Sequence, residues 1–135
     1  MSRSGYADDC YDILQYGRWR AQVMSSIRGK RGQAFLRDLL MALNEMPDKR
    51  LIADKFRLDG EVCALGALGA KRGLDLESLD LEDHEVLAEK FGITHQLIQE
   101  IEYENDSKWN ASTPELRWEK MHKWVNKHIK KETSS

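Results

Sequence analysis

Arg28, Lys30, Arg31 and Arg37 place four cations within ten residues, with glycines at Gly29 and Gly32 and no acid before Asp38. Phosphate is the natural partner of such side chains, Arg binding as a planar fork and Lys as a point charge. A glycine-flanked corner just ahead of the free amides of a helix gives an anion room to approach. The same residues also suit a solvated corner, where the glycines let the chain turn and Arg37 wets the outer side of a packed helix. A second cationic run has Lys123 and Lys127 at its centre, with Lys120, Lys130 and Lys131 around them. It would extend the basic field if folding joins the two runs. The phosphate-binding candidates are therefore Arg28, Lys30, Arg31, Arg37, Lys123 and Lys127.

The 135 residues carry a formal charge of only −2, but the signs are segregated. Residues 18–37 hold six cations and no anion, 75–106 hold eleven anions against Lys90, and 117–131 hold six cations against Glu119. A basic–acidic–basic order points to charged partners. DNA or RNA suits the basic runs. The acidic run suits a protein whose cationic site welcomes nucleic acid, with Glu100, Glu102 and Glu104 as the contacts.

Other chemistries find little footing. Cys10 and Cys63 are not a CxxC pair, and His84, His95, His122 and His128 lack HExxH or paired Cys/His spacing. Cys63, within GEVCALG, reads as a buried structural thiol, with a nucleophile as the alternative. Asp8, Asp9, Asp12, Glu82, Asp83 and Glu85 supply no calcium or two-metal loop and read as helix-start or surface charge. The expectation is a protein that is not an enzyme, with no catalytic residue, metal or cofactor; the last alternative is an uncharacterised enzyme whose polar groups, distant in sequence, converge on a pocket. Trp118 and Trp124 could stack on bases beside the late lysines, although their spacing around Met121 and Val125 suits a core helix. Trp109, in DSKWNAS, is the better candidate for contact with a partner, although packing the linker onto the domain is the favoured reading.

Positioning these groups falls to one globular domain over 6–131, with flexible ends at 1–5 and 132–135. An apolar share of 41% and a charged share of 33% fit a soluble chain with an ionised surface. Two cysteines define no disulfide framework, and no apolar run approaches the ~20 residues of a spanning helix. Cytoplasmic residence without membrane contact is expected.

Apolar residues between 6 and 27 fit a first helix, interrupted near Gly17. Phe35, Leu36, Leu39, Leu40, Ala42 and Leu43 recur at three and four and predict a second, ending before Pro47. Asp59-Gly60 predicts a small hairpin over 51–63. ALGALGAKRG, 64–73, predicts a small-residue helix packed closely on a neighbour, with an irregular loop as the alternative. Asp80 is placed to cap a helix reaching Phe91, and Thr94 to cap another reaching Tyr103. Ser112 or Thr113, then Pro114 and Glu115, open the last helix, whose stripe is Trp118, Met121, Val125 and Ile129. The fold class expected is mainly α: a compact helical domain with a small β-hairpin.

HEVLAEKFGITHQLIQEIEY, 84–103, resembles the helix–turn–helix family. Leu87, Ala88 and Phe91 share one side, Gly92 stands at the turn, and Ile93, Ile98 and Ile101 follow. The resemblance implies a second helix entering the DNA major groove, with Thr94, His95, Gln96 and Gln99 as possible base contacts and Glu100 and Tyr103 also outward. The departure is in charge. Lys90 is the only cation from 84 to 106, so the pair is poorly equipped to hold phosphate unaided.

Together, SSIRGKRGQAFLRDLL, GEVCALGALGAKRG, FGI and IEYEND resemble the small uncharacterised proteins of bacteriophages and prophages. That resemblance implies an accessory or regulatory setting, acting on nucleic acid or as an inhibitor or adaptor of a host protein.

Overall fold

The computed structural model describes residues 13–53, 55–76, 79–80, 82–106 and 113–130. Among them are helices α1 (Ile13–Arg28), α2 (Lys30–Glu45), α3 (Ala64–Arg72), α4 (His84–Phe91), α5 (His95–Asp106) and α6 (Pro114–His128). One antiparallel hairpin, β1 (Arg57–Leu58) with β2 (Glu61–Val62), stands between α2 and α3. The protein is mainly α, as the three-and-four periodicities predict. The expected tails, Cys10, Trp109, Ser112 and the carboxylates Asp8, Asp9 and Asp12 lie outside the described residues.

The first helix runs through Gly17 without a break, and the chain turns at Gly29 alone, which is extended (φ −70°, ψ 164°). Backbone bonds cross the corner, from Gly29 N to Ser25 O (3.1 Å) and from Gln33 N to Gly29 O (2.9 Å). Lys30 and Arg31 thus start a helix and do not sit in a loop. Gly32 is demanded by packing, because a Cβ there would overlap the Ser26 carbonyl oxygen.

The hairpin is shorter than the predicted 51–63. Asp59 (φ 52°) and Gly60 (φ 81°) both take the left-handed conformation of a tight two-residue turn. Its four strand residues are exposed or half-buried, so the ladder has no apolar face to extend it. In α3, a Cβ at Gly66 would collide with the Phe56 carbonyl oxygen, the close packing that the small residues predict. Cys63 is buried and caps this helix, its Sγ accepting from Gly66 N at 3.3 Å.

Capping sets the later elements. Asp83, not Asp80, caps α4, accepting from Val86 N at 3.4 Å, while Asp80 holds the preceding turn through Glu82 N (2.9 Å). Thr94 Oγ1 caps α5 through Leu97 N (3.3 Å), and Thr113 caps α6 through Leu116 N (3.1 Å) with Pro114 next. The core gathers Phe35, Leu36, Leu39 and Leu43 of α2 with Leu65, Leu68, Leu87, Leu97, Ile98, Ile101 and Met121. At its centre lies α5, packed against α1, α3, α4 and α6.

Candidate nucleic-acid interface

The last helix lies antiparallel on α2, and hydrogen bonds fix the register at both ends. At one end Trp118 Nε1 donates to Leu43 O (3.2 Å) and His122 Nε2 pairs with Asn44 Oδ1 (2.7 Å). At the other, Gln33 is 5% exposed and acts as a clasp. Its Nε2 donates to Ile27 O (2.6 Å) and His128 O (3.0 Å), and its Oε1 accepts from Lys130 N (2.8 Å). Lys130 Nζ then reaches the Arg28 carbonyl oxygen at 2.8 Å. Folding therefore brings the end of the late cationic run onto the early one.

Arg28, Lys30, Arg31, Arg37, Lys123, Lys127 and Lys130 are all exposed. None of them takes part in an ion pair among the described residues. Segments 28–37 and 120–130 contain no acid, and the next one, Asp38, is held by Arg72 at 2.7 Å. Unpaired charges of one sign along α2 and α6 raise a field that attracts polyanions. One acid, Glu104, lies within electrostatic reach of Lys127. Burial pushes the Glu104 carboxyl above its ordinary pKa and the charge of Glu100 adds to the rise, while Lys120, Arg20 and Lys127 partly offset it.

The glycine corner also borders a groove of about 380 Å³. Lys30 and Arg31 stand on one side of it, and Ile93 and Thr94 of the α4–α5 turn on the other. Ser26 Oγ and Thr94 Oγ1 are hydrogen-bonded at 2.6 Å, tying the turn to α1.

The helices α4 and α5 are joined by a short turn in which Gly92 takes the left-handed conformation (φ 72°), and the second of them is enclosed. Every residue of α5 is buried or half-buried. Thr94 is occupied by Ser26 and by its own cap, and His95 meets Trp19 edge-on at 6.4 Å. Gln96 and Gln99 are half-buried on the same enclosed helix. A helix packed against four neighbours, with none of its residues exposed, offers a major groove little surface.

Two of the three acidic candidates are also buried. Glu100 and Glu102 are only 3% and 2% exposed. Glu100 pairs with Arg20 at 3.1 Å, and Glu102 with His84 Nε2 at 2.7 Å. These carboxylates serve the interior, and Glu104 is half-buried beside them. The tryptophans of α6 are engaged too. Trp118 and Trp124 each carry a histidine one turn on, His122 and His128, with ring centroids 4.6 Å apart.

Sequence reasoning missed Gln33, Arg20 and His84. No spacing rule marks a glutamine that follows a glycine as the bolt between two distant segments.

Compared with protein-family models, curated proteins and solved structures, the chain matches none of them. No helix among the described residues is long and apolar enough to cross a membrane.

Proposed function

We propose that this protein is a small non-enzymatic, nucleic-acid-associated accessory or regulatory protein that grips the phosphate backbone without reading bases. The observation that carries the reading is the clasp at Gln33 and Lys130. It brings Lys130 against Arg28, next to the exposed Lys30 and Arg31, and joins the two helices on which Arg37, Lys123 and Lys127 are also exposed. Phosphate neutralisation by such cations releases condensed counterions, which supplies sequence-independent affinity. The rigid helix pair beneath them limits the ordering cost on binding. Enclosure of α5 is why base recognition forms no part of the mechanism. The resemblance to small bacteriophage proteins fits an accessory or regulatory setting.

The test is a fluorescence titration with DNA and with RNA at two salt concentrations, on the natural chain and on Lys30→Gln/Arg31→Gln. Affinity of the natural chain should fall steeply with salt. Removing two phosphate contacts should weaken binding across all sequences and reduce the log–log salt slope by about 2. Unchanged affinity for both nucleic acids would remove the role.

A further inference from the structure

The groove beside the glycine corner joins three elements. Lys30 and Arg31 of α2, Gln22 and Ser25 of α1, and Ile93 and Thr94 of the α4–α5 turn all line it. Gln22, Ser25, Lys30 and Arg31 are exposed, and among the described residues none of these side chains makes a hydrogen bond or an ion pair. No acid and no aromatic ring lines the groove among those residues. No side chain caps the start of α2, so the amides of its first turn add donors at the same corner. The shape is set before a ligand arrives. Ser26 Oγ and Thr94 Oγ1 hold the turn to α1 at 2.6 Å, and at Gly32 the backbone of α2 comes so close to Ser26 O that a Cβ would overlap it.

Donors with no opposing acid select an oxyanion, and concavity selects which one. A phosphodiester inside a strand continues on both sides, so an open surface suits it better than a recess. A phosphomonoester ends the strand, carries about −1.5 to −2 charges near neutral pH and presents three acceptor oxygens. Two cations and two neutral donors match that group. The volume, about 380 Å³, lies near the lower end of the ~300–1,000 Å³ of ligand pockets, which admits a phosphate and its sugar. A base would find no ring among the described lining residues to stack on. We propose that this groove receives a terminal phosphate, the phosphomonoester at the end of a nucleic-acid strand. Lys30 and Arg31 supply the charge, and Gln22 and Ser25 supply the neutral donors. This rests on the nucleic-acid reading and adds to it the part of the ligand that the corner holds.

The experiment is a fluorescence-anisotropy titration of the full chain with one internally labelled single strand, made with a 5′-phosphate, with a 3′-phosphate, or with hydroxyls at both ends. The same titrations are run on Gln22→Ala/Ser25→Ala, two exposed helix positions where alanine favours the helix. One phosphorylated form should bind about tenfold tighter than the hydroxyl-ended strand, the effect of one hydrogen bond to a charged group. The variant should lose that advantage, yet bind the hydroxyl-ended strand as before with an unchanged salt slope, because no cation has been removed. Inorganic phosphate and a nucleoside monophosphate serve as competitors. Either one displacing the phosphorylated strand at equal concentration would overturn the strand end as the source of the phosphate. Hydroxyl-ended strands that bind as tightly as both phosphorylated forms, or an advantage that survives Gln22→Ala/Ser25→Ala, would overturn the groove as its site while leaving backbone binding intact. Absence of binding to every strand would overturn both. The comparison of strand ends uses the natural chain, so it decides even if the variant folds poorly.

Discussion

Gln33 has more consequence than any single cation, because it is a neutral side chain on which the cationic arrangement depends. Its amide satisfies two carbonyl oxygens and one backbone N–H in a buried setting. Gln33→Ala strips all three partners, and buried polar groups left unpaired cost ~1–3 kcal/mol each. Partial access of water to the exposed Lys130 reduces the total, so about 2–3 kcal/mol is expected in urea denaturation. The variant should also bind polyanions more weakly, although no charge has been removed. Glu104 makes a prediction of the opposite kind. Its folded pKa is raised above 4.5. The folded chain therefore holds that proton more tightly than the unfolded chain does, and the stability this gives is full below 4.5 and lost as pH rises through the folded value. Glu104→Gln should gain stability relative to the natural chain as pH rises from 4.5 toward neutrality. Denaturation at a series of pH values measures this, and a gap that stays constant with pH would refute the account of the Glu104 environment.

At the scale of elements, what was legible in the sequence were those features that local physics decides. The Asp59-Gly60 turn, the Thr94 cap, the Thr113-Pro114 opening and the apolar stripe of α2 all follow from short-range rules. Boundaries shifted where two local signals competed, as at Asp80 and Asp83, each of which accepts from a backbone N–H two or three residues on. What sequence could not give was which face of a helix is covered, because that depends on partners far along the chain. The helix α5 is the clearest instance. Its own pattern leaves Thr94, His95, Gln96 and Gln99 outward, yet α1 meets Thr94 and His95 through Ser26 and Trp19, and the buried Glu100 and Glu102 lie against Arg20 of α1 and His84 of α4. Gln96→Ala and Gln99→Ala are expected to leave the affinity for any given duplex sequence within about twofold. A loss confined to particular base sequences, seen in a competition assay, would restore α5 as a reading helix.

For the whole molecule, a formal charge of −2 conceals a polar distribution. The basic runs meet at Lys130 and Arg28, while part of the acidic run is used inside, where Arg20–Glu100 links α1 to α5 and His84 of α4 lies against Glu102 of α5. Joining of the basic runs was left open by the sequence, since order along a chain does not determine position on a surface. Lys130 was legible as a cation, but its place against the Arg28 carbonyl needed the antiparallel register of α2 and α6. The central claim is that this end of the molecule is where phosphate binds. The most direct measurement is an amide chemical-shift map of the isotope-labelled chain during titration with a short nucleic-acid duplex at low salt. Residues 28–37 and 123–130 should shift together and saturate at one concentration, while the hairpin at 57–62 stays fixed. Shifts centred on the hairpin or on the start of α6, with 28–37 and 123–130 unmoved, would contradict it.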